Sequence, residues 1–151
     1  MTKFKLGEGR MICKIRKWKL SDATDYISSM LLEDENETFA FAITIDNKVI
    51  GSIGVYRQRN IHRQTAELGY YIAEEYWGKG IMTEAVKQIC EYVFRNSDMI
   101  RIYAEPFACN TASCRVLEKA GFQYEGILRC NAVKNGMVVD MKMYSLLKMD
   151  L

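Results

Sequence analysis

The sequence is poor in several things that catalytic and compartmental classes require. It has one proline, one histidine and five cysteines, with no C-x-x-C pair among them. His62 alone supports neither a histidine-based metal site nor a Ser-His triad, so no metal is expected. The thiols at positions 13, 90, 109, 114 and 130 are odd in number, and Cys13 and Cys90 fall on apolar faces. They read as buried or half-buried thiols in a reducing compartment, not as disulfides. The early residues hold no apolar run of signal-peptide length, and no segment anywhere is apolar for the length of a membrane span. A cytosolic protein with no membrane partner is expected. The formal charge is only +2. Lysines and arginines crowd positions 3 to 19, but no aromatic stacking platform accompanies them, so a solvated edge is expected and no nucleic-acid partner. Repeats, low-complexity tracts and linkers are absent. The 151 residues are expected to form one domain over 1–151.

What is present centres on Glu67 to Val86. Leu68, Tyr70, Tyr71 and Ile72 make a short apolar, aromatic run typical of a buried strand. Gly78 and Gly80 break it. From Ile81 the period changes: Met82, Ala85, Val86, Ile89, Cys90, Val93 and Phe94 recur at three and four, which is one helix face. A glycine loop feeding a helix start is an anion site, because glycines let backbone N–H groups approach a ligand and the first helical N–H groups have no internal partner. Gly78-Lys79-Gly80 lacks the spacing and the Lys-Ser/Thr pair of the phosphate-loop ATPases. Thr83 stands where a dinucleotide loop needs its third glycine. A strand–helix turn without a ligand is the competing reading.

Along the chain, Met11, Cys13 and Ile15 alternate with Ile12, Lys14 and Arg16, predicting a strand buried mainly on one face. Ser21 reads as an N-cap before a stripe of Ala23, Tyr26, Ile27, Met30 and Leu31, a helix ending near Leu32. An acidic turn follows at 33–37, read as a solvated loop, with docking of a cationic substrate as the alternative. Strands over 39–45 and 48–56 meet at the two-residue turn Asp46-Asn47. The strand 65–72 is followed by a helix over 81–95 and a strand over 100–105, a unit that normally makes a parallel crossover. Pro106 stops that strand. Asn110 opens a helix carrying Ala112, Val116, Leu117 and Ala120, which Gly121 closes. The segments 122–129 and 137–147 make a long hairpin turning at Asn135-Gly136.

The loop resembles the acetyl-coenzyme A loop of the GNAT acetyltransferases, [Q/R]-x-x-G-x-[G/A], written here Trp77-Gly78-Lys79-Gly80-Ile81-Met82. Trp77 and Met82 depart from the general pattern. Tyr76-Trp77-Gly78-Lys79-Gly80 followed by Thr83-Glu84-Ala85 is, however, similar to the branch of the ribosomal-protein N-acetyltransferases RimJ and RimL. Asn110-x-x-Ser113 followed by Leu117 to Phe122 resembles the family's second signature, and Asp140-x-x-x-Tyr144 fits the same branch. The element order matches as well. The resemblance implies an α/β (α+β) GNAT fold: a mixed, mostly antiparallel sheet with a central splayed parallel pair, flanked by helices. One departure is large. The family usually places two helices and a long loop where this chain has only 21–38.

Acetyl transfer from a thioester needs a neutral amine, N–H donors for the oxyanion and a proton for the leaving thiolate. The resemblance implies acetyl-CoA as co-substrate. It implies backbone donors at Tyr70, Tyr71 and Ile72, and a cofactor loop of Trp77, Gly78, Lys79, Gly80, Ile81, Met82 and Thr83. Asn110, a helix N-cap on its own terms, would face the cofactor arm, and Ser113 would be the acid. Other members carry a tyrosine acid where this chain has Leu117. Two carboxylates compete for the base. Glu67 begins the central strand and is preferred, acting through water; Glu105 ends the neighbouring one. An α-amine, pKa near ~7.8, costs roughly 1 kcal/mol to neutralise at pH 7, against roughly 4.6 for a lysine-type amine near ~10.4. Nothing looks dedicated to the harder task, so a peptide N-terminus or small amine is the expected acceptor. A polyamine or aminoglycoside acetyltransferase and a non-catalytic CoA-binding module are the alternatives. The short 21–38 segment implies an acceptor groove left open or completed by a second subunit in a homodimer.

Overall fold

The computed structural model describes residues 3–4, 13–17 and 38–151. The helix expected from Ser21 and the acidic turn at 33–37 lie outside the described residues. The described strands are β1 (Lys3–Phe4), β2 (Cys13–Lys17), β3 (Thr38–Ile45), β4 (Lys48–Arg57), β5 (Thr65–Ile72), β6 (Arg101–Ala104), β7 (Gln123–Lys134) and β8 (Met137–Leu147). They form one sheet in the order β1-β2-β3-β4-β5-β6-β8-β7. All neighbours run antiparallel except β5 and β6. Two α-helices are described, α1 (Ile81–Asn96) and α2 (Thr111–Lys119).

The turns form for the reasons the sequence gives. Asp46 and Asn47 both have positive φ (48° and 65°), as do Asn135 and Gly136 (52° and 75°), the conformation two-residue hairpins demand. Asn110 caps α2, its side-chain oxygen accepting from the Ser113 N–H at 3.1 Å. At the other end Gly121, φ 94°, lets its own N–H reach Glu118 O (3.1 Å) and that of Phe122 reach Leu117 O (2.9 Å), a Schellman closure. Phe122, expected to start β7, instead belongs to this closure and is buried.

The core lies on one face of the sheet. Every residue of the α1 stripe read from the sequence is buried, as are Cys13, Ile15, Ile53, Val55, Ala66, Leu68, Ile102 and Leu146. Period-two alternation then places Thr65, Glu67, Gly69 and Tyr71 on the opposite face. Cys13, Cys90 and Cys114 are buried, whereas Cys109 and Cys130 are exposed, which the sequence reading did not separate. Burial pushes the Cys13 and Cys90 thiols up, so they stay protonated. Among the described residues no helix is long and apolar enough to cross a membrane.

Candidate active site

The site begins where two parallel strands part. The β5–β6 ladder consists of Thr65–Arg101, Ala66–Ile102 and Glu67–Tyr103, yet β5 runs on to Ile72. The cause lies in β6. β6 pairs with β8 on its other side, and beyond Ala104 the chain keeps to β8 while leaving β5: Lys142 N–H donates to Pro106 O (2.9 Å), Ala108 N–H to Asp140 O (2.9 Å), and Phe107 bridges Met141. The far half of β5 is left with one open edge. Ala73 N–H turns to β4, donating to Ile50 O at 2.9 Å. By alternation the N–H groups of Tyr70 and Ile72 turn the other way, into the gap. Ile72 O, on the same side, is taken by the Trp77 indole N–H at 2.9 Å. Trp77, a departure from the general loop pattern, thus fixes the loop onto the end of β5.

A cavity of about 520 Å³ opens from this gap. Every residue expected at the cofactor lines it: Tyr70, Tyr71 and Ile72, the loop from Trp77 to Thr83, and Asn110. Gly78 and Gly80 have φ 71° and 76°. A Cβ on either would meet nothing within 4 Å, so these glycines are required by backbone conformation and leave room for a ligand. Gly80 is the N-cap of α1, and its carbonyl accepts the first helical bond, from Glu84 N–H at 3.2 Å. The N–H groups of Ile81, Met82 and Thr83 therefore lack intrahelical acceptors where they line the cavity. Lys79, Arg115 and Lys119 add positive charge around it. Arg115 and Lys119 were missed by the sequence reading, though Ala112, Arg115, Val116 and Lys119 fall on one helical stripe. The lining fits a long anion with a hydrogen-bonding arm.

Ser113 also lines the cavity. Its Oγ is hydrogen-bonded to the Tyr70 phenol, whose oxygen also lies 3.4 Å from Ser113 O. Burial pushes the Tyr70 phenol up, partly offset by the Ser113 bond, so it stays protonated.

The two carboxylates do not line this cavity. Glu67 and Tyr70 are three apart on a strand, so they point to opposite faces. On the far face Glu67 sits beside Tyr103, its register partner, which hydrogen-bonds to it, and near Glu105. Burial and then the Glu105 charge raise the Glu67 carboxyl, and the Tyr103 bond offsets part of that. Tyr103 is pushed up to about 12 by burial and the two carboxylates and remains a donor. Arg101, on the neighbouring strand, is held by Glu125 through two bonds of 2.6 and 2.8 Å. Tyr71 on the same face is 66% exposed. Next to it the Tyr56 ring lies over Gly54, where a Cβ would come within 2.6 Å of its hydroxyl. Among the described residues no group of three His, Cys, Asp or Glu could hold a metal ion. The open edge is thus approached by a hydroxyl pair from one face and a carboxyl with raised proton affinity from the other.

Comparison with known proteins bears on this geometry. Residues 8–123 match the family model described as an acetyltransferase (GNAT) domain. A probable N-acetyltransferase of Bacillus subtilis, YjcK, is 38% identical over 127 residues, covering 84% of this chain and 70% of its own. The structure of Mycobacterium smegmatis RimJ in complex with CoA-disulfide aligns over 94% of this chain and 86% of its own, with TM-score 0.84 and 20% identity. That of RimL, a ribosomal L7/L12 alpha-N-protein acetyltransferase in complex with coenzyme A, aligns over 81% and 69%, with TM-score 0.74 and 24% identity. At these identities the two structures speak for the fold.

Proposed function

We propose, from the premise that this chain belongs to the GNAT family and is an acetyl-CoA-dependent N-acetyltransferase, that its acceptor is the α-amine of a peptide or protein N-terminus. The observation that carries this reading is Glu67: a half-exposed carboxyl, raised by burial and by the nearby Glu105 charge, beside an open edge. Such a group is a weak base near neutral pH. It suffices for an α-amine that is already partly neutral, but leaves most of the cost of a lysine-type amine unmet. Tyr71, exposed and four residues farther along the same face, suits an extended peptide better than an enclosed metabolite. RimL, named for acetylating a protein α-amine, lends the reading support from a shared fold.

In this reading the loop from Trp77 to Thr83 and the α1 N-terminus bind the pyrophosphate, with Lys79, Arg115 and Lys119 neutralising charge. The open edge of β5 holds the pantetheine arm. Bound acetyl-CoA supplies the activated acetyl group. The amine enters from the Glu67 face and loses a proton through water to that carboxylate. Backbone N–H groups of Tyr70 and Ile72 stabilise the developing oxyanion, and Ser113 protonates the sulfur from the opposite face. Glu105 tunes Glu67 and is not itself the base. A cytosolic location, and an acceptor groove left open or completed by a second copy of the chain, belong to the same reading. The test is acetyl transfer to a panel of peptides with free N-termini alongside spermidine, with light scattering for the oligomeric state. Transfer to the peptides is expected. A monomer that acetylates only spermidine would overturn the acceptor assignment.

A further inference from the structure

We infer that Tyr70 is a positioning residue for the leaving group: its phenol donates to Ser113 Oγ, turns the serine proton into the cavity and replaces that proton as it leaves. The inference rests on Ser113 acting as the acid, and adds a residue 43 positions away in the chain, from a different element. Tyr70 lies on β5, Ser113 in the first turn of α2, and both side chains line the cavity. A hydroxyl pair allows either atom to donate. Only one arrangement serves the reaction. If Ser113 donates to Tyr70, its proton points away from the sulfur. If Tyr70 donates, Ser113 keeps its own proton free for the cavity.

Acidity gives the second reason. An alcohol of roughly water-like acidity, ~15.7, is about seven units too weak to protonate the thiolate of a ~8.5 thiol unaided. A phenol near ~10 brings the gap to about one and a half. Burial raises the phenol, but the same cavity disfavours a thiolate as well. The amine nitrogen has by then bonded to the acetyl carbon. As the oxyanion's electron pair re-forms the carbonyl, the carbon–sulfur bond breaks and its electron pair stays on sulfur. The Ser113 proton moves to sulfur, giving the CoA thiol. The Tyr70 proton moves to Ser113 Oγ. The phenolate regains a proton from water as products leave, in balance with the proton the amine gave up on the other face.

Three variants, Tyr70→Phe, Ser113→Ala and the double, test this against the parent, using acetyl-CoA and an alanine-terminated peptide. Tyr70→Phe is expected to lower kcat about tenfold with the acetyl-CoA KM unchanged, a loss within what general acid catalysis supplies. The double variant should be no slower than Ser113→Ala, because both remove one device. A Tyr70→Phe enzyme with parental kcat, or losses that multiply in the double variant, would overturn the assignment. A binding arm needs no turnover. The parent should bind CoA more tightly than desulfo-CoA, and both single variants should narrow that gap. A gap that closes in Ser113→Ala but persists in Tyr70→Phe also overturns it. A parent that binds neither form fails the acetyltransferase reading of the cavity itself, and the inference with it.

Discussion

The two faces of β5 are built from different kinds of sequence information. The cavity side, proposed for the cofactor, uses neighbours: Tyr70 to Ile72, a turn, and Trp77 to Thr83 form one continuous run, completed by the first turn of a second helix. Its chemistry is mostly backbone, namely positive-φ glycines, free helical N–H groups and an open strand edge. The far face uses side chains from segments that meet only in the sheet, Glu67 on β5 with Tyr103 on β6 and Glu105 just beyond its end. A backbone device can be read from local spacing. A side-chain cluster needs the pairing register first.

That difference can be broken with substitutions on either face. The largest expected effect is on the cofactor side. Ser113→Ala should lower kcat about a hundredfold, the low end of general acid catalysis, with little change in acetyl-CoA KM, because in the proposed mechanism the hydroxyl acts only as sulfur leaves. Next comes Glu67→Gln, which should cost roughly tenfold and flatten the acidic limb of the pH–rate profile. If Glu105→Gln does this and Glu67→Gln does not, the base has been assigned to the wrong carboxylate.

The smallest effects are on stability, and they carry opposite signs. The Glu67 carboxyl is raised in the fold. Its contribution is full below the unfolded carboxylate range and is lost as pH rises through the folded value. Glu67→Gln should therefore melt slightly above the parent at pH 7, with the difference fading in acid. Glu125 is held down to about 2, first by its bond with Arg101. Its contribution is present above the usual carboxylate range and is lost as pH falls towards that value. Glu125→Gln should melt slightly below the parent at pH 7 and converge with it near pH 2. Thermal melts across pH check both. Identical signs would mean that Glu67 is a structural carboxylate like Glu125.

Much of the fold was legible because the local signals agreed. The α1 stripe, the Asp46-Asn47 and Asn135-Gly136 turns, the Asn110 cap and the parallel pair all stand where the sequence put them. The splay was implied by the family resemblance and not by the residues themselves. Beyond Ala104 the chain stays with β8 and leaves β5, and only Pro106 hints that β6 stops. Trp77 departs from the general loop pattern while resembling the RimJ/RimL branch, and its indole bond to Ile72 O gives that departure a physical role as a fastening. The Tyr70–Ser113 bond joins elements whose contact no periodicity forecasts. The two-pronged bond between Arg101 on β6 and Glu125 on β7 likewise joins strands that are not neighbours in the sheet, so no local pattern reveals it.

The central claim is that cofactor and acceptor are handled from opposite faces of one strand, and calorimetric titration of CoA tests it most directly. Gly80→Asp places a side chain and a negative charge in the space a pyrophosphate would use, at a backbone conformation that disfavours it. Binding should weaken at least tenfold, about 1.4 kcal/mol, in a variant that still melts cooperatively, while Glu67→Gln should bind CoA as the parent does. Equal affinities for Gly80→Asp and parent, or a loss in Glu67→Gln as large as that in Gly80→Asp, would contradict the division between the two faces.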